Sequence, residues 1–260
     1  MPIYNFFMTQ RYYAPELSIA GQSIELLAEE ARHAAKVMRV QIGQQLELFD
    51  GAGTHGLATV REVNKRRVTC IVEQLLPAQQ AKETLVCVGV AIPKGDRAKF
   101  LIEKLTELNV QTIVPLICQH SAWQPAATVA SRLQKSAIEA CKQSGRNDLP
   151  QILAPQPAAT WFPCATHADA TAKWLAHPGT AAGDGGEPAS PQERLAELAR
   201  ASAGKAPRRV AIAIGPEGGF SGDEVATAQA TGWQLVDLGH LIQRIETAAI
   251  VLASLAIYGE

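Results

Sequence analysis

The segment VAIAIGPEGGFSGDE, residues 210–224, decides how the second half of this 260-residue chain is interpreted. Its apolar run predicts a buried strand, and the Gly-Pro-Glu-Gly-Gly after it predicts a turn that exposes backbone. Ser221 and Glu224 have the spacing of a capping box, so a helix is expected to follow at once. Exposed backbone at a strand end is a place for a ligand, but a tight turn with positive φ at Gly218 or Gly219 explains the glycines equally well.

Around this segment the chain alternates apolar strands with amphipathic helices, which predicts an α/β fold with a mainly parallel sheet. LVCVGVAI, residues 85–92, is expected to be a strand covered on both faces, with Asp96 capping the next helix and Asn109 ending it. A second helix is expected over residues 131–144, and residues 178–192, rich in Gly, Pro and Ala, are expected to form a flexible insert or linker. The final segment ETAAIVLASLAIYG has almost no polar surface. That helix is expected to be buried against its own sheet or a second subunit.

The first eighty residues follow a different pattern. Three short alternating segments between residues 45 and 76 predict strands, and ELLAEEARHAAKV, residues 25–37, predicts a helix. Together they indicate a small half-open β-barrel over residues 1–76. The polar connector PAQQAKE is expected to separate this barrel from an α/β domain over residues 83–260.

Composition restricts the possible classes of protein. The five cysteines form no C-x-x-C pair, which argues against zinc or a disulfide framework and for a cytosolic protein. The six histidines show no metal-ligand spacing, so no metal site is expected. No apolar run has the ~18–20 residues of a membrane span, and no signal peptide is evident. Residues 81–150 contain nine Lys and Arg against six Asp and Glu, which allows a nucleic-acid partner through a local patch.

Three predicted strand ends are unusual: LAHPG, IGPEGGF and LGHLIQRIETA. In open α/β sheets, ligands bind beyond the carboxyl ends of strands. The glycine turn is not a P-loop, because no G-K-[ST] follows it, and its spacing excludes the dinucleotide fingerprint. In the third segment Arg244 and Glu246 lie at the start of the apolar helix, where they either pair with each other or face a ligand.

These motifs together resemble one family. IGPEGGFS..E followed by LG..I.R.ETA resembles the cofactor site of the RsmE-type small-subunit rRNA uridine-N3 methyltransferases, in the SPOUT class. HAAKVMRVQIGQQLELFDGAG, KGDRAKFLIEKLTELNVQTIVPL and EACKQSGRNDLPQI resemble further segments of that family, so the matches run in order over most of the chain. The resemblance implies an N-terminal PUA-like barrel and a C-terminal sheet threaded as a trefoil knot, a rare exception among protein folds.

The resemblance further implies that S-adenosylmethionine binds in the knot and that the substrate is a uridine of 16S ribosomal RNA, in free rRNA or in the assembled 30S subunit. A homodimer is implied because SPOUT sites commonly use residues of a partner subunit. The implied cofactor-binding residues are Leu175, His177, Ile214, Gly215, Glu217, Gly218, Gly219, Leu238, Gly239, Leu241, Ile242, Gln243 and Thr247.

Methylation of uridine N3 requires removal of the N3 proton or stabilisation of the imidate charge left on the ring oxygens. Arg244 is the candidate for stabilising that charge, with Glu246 holding Arg244 in place. Glu217 lies near enough in sequence to orient the cofactor or the uracil, or to accept the proton. A carboxylate bonded to nearby amides of the turn is the alternative for Glu217, and no general base is evident from the sequence.

RNA is expected to be bound by basic side chains of the barrel and of residues 81–150. Each of them taken singly is more often a solvated surface charge, and their clustering is what favours RNA. The RNA-binding candidates are Arg11, Lys36, Arg39, Lys94, Arg97, Lys104, Arg132, Lys135, Lys142 and Arg146.

The chain departs from the family pattern in places. Many members read L-G-x-R-I-L-R-x-E-T-A, whereas this chain has Leu241 and Gln243 in place of Arg and Leu. Two other functions therefore stay open: a SPOUT methyltransferase that acts on a different RNA, and a non-catalytic RNA-binding factor of ribosome assembly. An unrelated α/β nucleotide-binding enzyme would leave the four motifs outside the glycine turn without explanation.

Overall fold

The computed structural model of this chain describes residues 10–64, 66–77, 84–126, 128–164, 167–178, 190–193, 196 and 208–259. The chain divides into two compact units. The first comprises Met1–Ala81 and Ile138–Leu149, and the second comprises Lys82–Ala137 and Pro150–Glu260. The sequence does not predict that Ile138–Leu149 belongs to the first unit.

The first unit is built on a five-stranded sheet with the order β1-β3-β4-β5-β2. β1 runs parallel to β3, and the other neighbours are antiparallel. Alternate residues of the strands point into one core, where Leu46, Leu48 and Val60 are fully buried. The strands are β1 (Arg11–Tyr13), β2 (Ser23–Glu25), β3 (Gln45–Phe49), β4 (His55–Val63) and β5 (Val68–Leu75).

The helix of the first unit is shorter than the sequence predicts. Helix α1 spans Ala28–Arg32 and continues as a π-helical turn over His33–Val37. Arg39 follows with a φ of 52°, in the left-handed region that non-glycine residues rarely adopt. Val40 then lies in the core of this unit.

The second unit is built on a seven-stranded sheet with the order β12-β10-β11-β6-β7-β8, and β9 pairs with β7. Every pairing is parallel, which confirms the predicted fold class. β6 and β11 lie side by side in the middle and are rich in Val, Ile and Ala because both of their faces are covered. The strands are β6 (Thr84–Val90), β7 (Thr112–Ile117), β8 (Gln151–Ile152), β9 (Gln156–Pro157), β10 (Ala172–Ala176), β11 (Arg208–Ile214) and β12 (Gln234–Val236).

Helices cover both faces of this sheet. Leu101 and Leu252 lie in one core cluster with Val88 of β6, whereas Trp161 and Trp233 lie in a second cluster against the opposite face. The helices are α2 (Asp96–Glu107), α3 (Val129–Ser144), α4 (Ala158–Trp161), α5 (Gly222–Ala230) and α6 (Ile245–Tyr258). Helix α6 packs on β6, β11 and α2, so the predicted burial of the last helix against its own sheet is confirmed.

The helix ends agree with the sequence at two of three predicted positions. Asn109 adopts a φ of 66°, as expected for a left-handed stop. The Ser221 N–H donates to the Glu224 carboxylate at 2.8 Å, and the Glu224 N–H donates to Ser221 Oγ at 3.3 Å, so the capping box is present. Asp96 does not cap α2, because Gly95 occupies the N-cap position with a φ of 64° and without a side-chain cap.

Two further expectations concern what the chain lacks. Within the ranges given above, no helix has the length and apolar character needed to cross a membrane. The same residues contain no cluster of three His, Cys, Asp or Glu that could hold a metal ion. Residues 179–189 of the predicted insert and 78–83 of the predicted connector lie outside the described residues.

Candidate active site

A cavity of about 130 Å³ lies at one edge of the parallel sheet of the second unit. β12, β10 and β11 are neighbours, so their carboxyl ends at Val236, Ala176 and Ile214 lie side by side. All three of these residues line the cavity. The three strand ends that the sequence singles out therefore meet in one site, at the edge where α/β sheets bind ligands.

The loop after β11 forms one wall of this cavity. The backbone geometry requires a glycine at position 219, because Gly219 has a φ of 72°. Gly219 donates its N–H to the Pro216 carbonyl at 2.8 Å. A Cβ on Gly218 would lie 3.1 Å from the Cβ of His120. The sequence allows two explanations of these glycines, a tight turn and a ligand site. The tight turn is present at Gly219, and the backbone of Gly215 and Gly219 also lines the cavity.

The loop after β12 forms a second wall with unusual surface properties. Leu241 is 71% exposed and Ile242 is 95% exposed, yet both line the cavity. Gln243 donates from Nε2 to the Leu238 carbonyl at 3.2 Å, while its buried Oε1 has no hydrogen-bond partner among the described residues. A buried acceptor without a partner is rare in proteins, so this oxygen suits an N–H donor of a ligand.

Arg97 of helix α2 joins two carboxylates beside the cavity. Its Nε and Nη2 donate to both oxygens of Glu246 at 2.8–3.2 Å, and its Nη1 donates to Glu217 Oε1 at 3.0 Å. The structure corrects the expectation that Glu246 holds Arg244, because the partner of Glu246 is Arg97. Arg244 is exposed at the N-cap of α6.

The contacts between Arg97 and Glu246 shift the pKa of both groups. Burial on its own would raise the pKa of Glu246, but the hydrogen bonds and charge of Arg97, with the charge of Arg244, lower that pKa below its ordinary value. The hydrogen bonds to Glu246 raise the pKa of Arg97, and the hydrogen bond to Glu217 raises it further. Burial opposes both effects by lowering this pKa. Glu246 and Arg97 therefore form a permanently charged pair at neutral pH.

A family model described as RNA methyltransferase domain matches residues 80–257, which include the whole cavity. The chain belongs to the RNA methyltransferase family. A second model, described as RNA methyltransferase PUA domain, matches residues 26–73 of the first unit. Both parts of the predicted architecture are thereby confirmed for this RNA methyltransferase, and the trefoil knot stays a prediction.

Several members of the family are similar over nearly the whole chain. The ribosomal RNA small subunit methyltransferase E of Synechocystis sp. is 27% identical over 258 residues, covering 95% of this chain and 77% of its own length. That of Rickettsia conorii is 28% identical over 243 residues, covering 92% of this chain and 91% of its own length.

Solved structures of related enzymes superimpose closely on this fold. A methyltransferase from Legionella pneumophila in complex with SAM is 28% identical, with a TM-score of 0.82 over 95% of this chain and 96% of that chain. Ribosomal RNA small subunit methyltransferase E from Neisseria gonorrhoeae, bound to S-adenosyl methionine, is 27% identical, with a TM-score of 0.77 over 95% of each chain.

Most of the predicted cofactor-binding residues of this RNA methyltransferase surround the cavity. Three do not: Leu175 is fully buried on the opposite face of the sheet, because it follows Trp174 in β10 and consecutive strand residues point to opposite faces. Thr247 is exposed on α6, and Gly218 faces His120. The predicted residues that line the cavity are His177, Ile214, Gly215, Glu217, Gly219, Leu238, Gly239, Leu241, Ile242 and Gln243.

The sequence missed other residues of the cavity wall. Most of them adjoin predicted residues at the strand ends. Ile245 and Ala248 belong to the first turn of α6, and their i, i+3 spacing on one helix face is the signal that could have found them. The missed residues are Ala176, Pro178, Pro216, Val236, Asp237, Ile245 and Ala248.

Two of the predicted RNA-binding residues are buried in ion pairs of the first unit. The side chain of Lys142 is 5% exposed and donates to both carboxylate oxygens of Glu30 at 3.1–3.2 Å. Arg146, equally buried, pairs with Asp148 at 3.0 Å. Neither charge is available to RNA, so the structure corrects both assignments.

Arg11 is corrected for the same reason. Its side chain is 9% exposed, pairs with Glu47 at 3.1 Å and donates to the Cys141 carbonyl and the Asn147 side chain. Lys104 is half-buried and pairs with Glu107 on its own helix. The predicted RNA-binding residues that the structure leaves exposed are Lys36, Arg39, Lys94, Arg132 and Lys135.

Proposed function

We propose that this RNA methyltransferase uses S-adenosylmethionine to methylate N3 of a uridine in the 16S ribosomal RNA of the small subunit. The observation that carries the proposal is the cavity at three adjacent strand ends, which lies inside the family match. The similar structures from L. pneumophila and N. gonorrhoeae, whose matches each cover 95% of this chain, contain this cofactor.

The residues of the cavity fit the chemistry of S-adenosylmethionine. The buried Oε1 of Gln243 is an acceptor for the exocyclic amine of adenine, and the exposed Leu241 and Ile242 are apolar surfaces for its ring. Gly215 and Gly219 let the backbone approach the ligand closely. The bound cofactor would supply a methyl group on a sulfonium centre, so the remaining tasks of the reaction belong to side chains of the protein.

Those tasks follow from the target atom. Uridine N3 carries a proton in the neutral base, so the site must accept that proton and stabilise the charge left on the uracil oxygens. We assign the charge stabilisation to Arg244, which is exposed next to the cavity residue Ile245. The uracil must also be turned out of any base stack to reach the methyl group.

We propose that RNA binds through the basic residues that remain exposed. Lys36 and Arg39 belong to the first unit, and Lys94, Arg132 and Lys135 belong to the second. Contacts of such side chains to phosphates would make binding weaken steeply as salt is added. We further propose that the enzyme is a homodimer, because the outer face of the apolar helix α6 is only partly buried within the chain.

The test is methyl transfer from labelled S-adenosylmethionine to 30S subunits and to protein-free rRNA, both isolated from cells that lack this enzyme. The product nucleoside is identified by mass spectrometry. We expect N3-methyluridine on one of the two substrates, and the preferred substrate shows whether the enzyme acts before or after assembly of the subunit.

Other outcomes would separate the alternatives. Methylation of a different nucleoside, or of tRNA alone, would keep the methyltransferase and reject the uridine-N3 target. Failure to bind S-adenosylmethionine in calorimetry, combined with tight binding to 30S subunits, would favour the non-catalytic assembly factor.

A further inference from the structure

The cluster of Arg97, Glu217 and Glu246 contains two carboxylates in very different situations. Arg97 makes three of its four contacts in this cluster with Glu246, whose side chain is 8% exposed. It makes a single contact with Glu217, whose side chain is 61% exposed and lines the cavity. One carboxylate is thus fixed to the guanidinium, and the other is held lightly at the cavity.

Glu217 keeps an oxygen that can take up a proton. Arg97 bonds only Oε1 of Glu217, and among the described residues no hydrogen-bond partner is recorded for Oε2. Protonation of Glu217 breaks one exposed ion pair, which is worth little, and leaves the Arg97–Glu246 pair intact. Protonation of Glu246 would instead disrupt the buried contacts.

We infer that Glu217 is the proton acceptor for uridine N3, and that Arg97 is a positioning residue which aims Glu217 at the cavity while Glu246 anchors Arg97. This inference rests on the proposed function and names residues for a step that the proposed function leaves unassigned. It also moves Arg97 from RNA binding, where the sequence placed it, to the active site.

The proton balance of the step is simple. The N3–H bond breaks and an O–H bond forms on Glu217, while the electron pair stays on N3 and makes N3 the nucleophile for the methyl group. The negative charge moves from Glu217 to the uracil ring, so the total charge of the site does not change. Glu217 then returns its proton to solvent, to which its side chain is open.

Four charged or titratable groups belong to the elements next to the loop that carries Glu217. Arg97 contacts it from α2, and Glu246 and Arg244 lie at the start of α6. His120 donates from Nδ1 to the carbonyl oxygen of the adjacent Gly218 at 3.2 Å, so it is the alternative proton acceptor in this neighbourhood. A test must separate Glu217 from His120.

The first experiment compares Glu217→Gln and Arg97→Gln with the wild-type enzyme on the 30S subunit or rRNA substrate. Glu217→Gln is expected to lower kcat by about 10²- to 10⁴-fold, because general-base catalysis is lost. Arg97→Gln is expected to lower kcat by roughly 10²-fold, because Glu217 is no longer held in position for the proton transfer. In Arg97→Gln, the calorimetric Kd for S-adenosylmethionine and the KM for RNA are expected to stay within about threefold of wild type, because Arg97 does not line the cavity.

Arg209→Gln is the matched control. Arg209 is also an arginine paired with one exposed carboxylate, that of Asp169, but it lies at the start of β11, at the opposite end of the strand from the cavity. We expect its kcat to equal that of the wild type. Arg97→Lys is a second variant in case Arg97→Gln does not fold; it keeps the charge but not the planar fork, so its kcat should fall between wild type and Arg97→Gln.

The pH dependence of kcat gives a readout that a structural role would not change. The acidic limb of the wild-type profile reports protonation of the base. In Arg97→Gln, kcat is expected to fall while this limb is retained, because Glu217 is still present but is no longer held toward the cavity. In Glu217→Gln the limb is expected to disappear from the residual activity.

Three results would overturn the inference while the proposed function stands. They are an active wild type whose kcat is unchanged in Glu217→Gln, a kcat that is unchanged in Arg97→Gln, and an acidic limb that disappears in His120→Asn. A wild-type enzyme that makes no N3-methyluridine on any substrate would instead refute the proposed function itself.

Discussion

At the scale of single residues, Glu246 and Glu217 show how one arginine gives two carboxylates different roles. Glu246 is nearly buried and bonded through both oxygens, so Glu246→Gln is expected to lower the free energy of unfolding by about 2 kcal/mol. Glu217 is largely exposed, so Glu217→Gln is expected to change it by less than about 1 kcal/mol. Urea denaturation of the two variants at pH 7 measures this difference.

The contribution of Glu246 to stability depends on pH in a defined direction. Its pKa is lower in the folded protein than the ordinary value of 4.5, so the unfolded chain binds more protons below pH 4.5. The stabilisation is complete above that pH and is lost as the pH falls through the folded-state pKa. The stability difference between wild type and Glu246→Gln should therefore shrink below pH 4.5, and a constant difference from pH 7 to 3.5 would contradict the assignment.

The sequence predicted the identity of most cavity residues but not the partners of the charges. Arg97 is 120 residues from Glu217 and 149 from Glu246, and Lys142 is 112 residues from Glu30. Periodicity and local motifs carry no information about pairs at such separations. A buried, paired cation and a solvated one look the same in a sequence, which is why three structural charges were assigned to RNA.

At the scale of elements, the loop after β12 presents apolar side chains to solvent at the cavity. Ile242 is 95% exposed, so Ile242→Asn is expected to leave the unfolding free energy unchanged. If this side chain covers bound S-adenosylmethionine, the same variant should weaken cofactor binding by about tenfold, or 1.4 kcal/mol. Calorimetry and urea denaturation on one preparation test both parts, and an unchanged Kd would remove Ile242 from the cofactor site.

Strand β6 depends on a glycine for its packing. A Cβ on Gly89 would lie 2.5 Å from the ring of Trp161, which is fully buried among aromatic neighbours. Gly89→Ala is therefore expected to destabilise the protein by about 1–3 kcal/mol through overpacking. Gly222→Ala in helix α5 is the matched control, since its Cβ would meet no atom within 4 Å. Equal urea midpoints for the two variants would refute the prediction.

The elements were predictable to different degrees. The capping box at Ser221 and the left-handed Asn109 follow from local chemistry, and both are present. The direction of Leu175 was not predictable, because a strand buried on both faces has no alternation of polar and apolar residues to show which side faces the cavity. The π-helical turn after α1 has no local signal that distinguishes it from a continued helix.

At the scale of the whole molecule, helix α6 has an outer stripe of Thr247, Val251, Ser254 and Tyr258 that the described part of the chain leaves exposed or only partly buried. We predict that this stripe lies in a dimer interface. Sedimentation should give twice the mass of one chain for the wild type, and Val251→Glu should give the mass of a single chain, because a buried unpaired charge is costly in an interface. A wild-type monomer at micromolar concentration would contradict this prediction.

The trefoil knot and the domain limits at residues 76 and 83 stay predictions at this scale. Threading of a chain leaves no periodic signal, so the knot rests on resemblance alone. The order of the parallel strands was likewise not predictable, because the sequence of a strand does not specify which strands it pairs with. The adjacency of β12, β10 and β11, which creates the cavity, is information that only the folded chain contains.

The discontinuity of the first unit has a consequence for biosynthesis. Glu30 leaves the ribosome 112 residues before Lys142, and Arg11 leaves it 136 residues before Asn147. At a translation rate of about 10 residues per second, roughly seven seconds pass between the synthesis of Leu75, at the end of β5, and that of Lys142, and for this time Glu30 lacks its ion-pair partner. The first unit therefore cannot be completed when β5 has been synthesised, because Ile138–Leu149 also belongs to that unit. The ribosome must therefore synthesise more than half of this chain before the first unit can be complete.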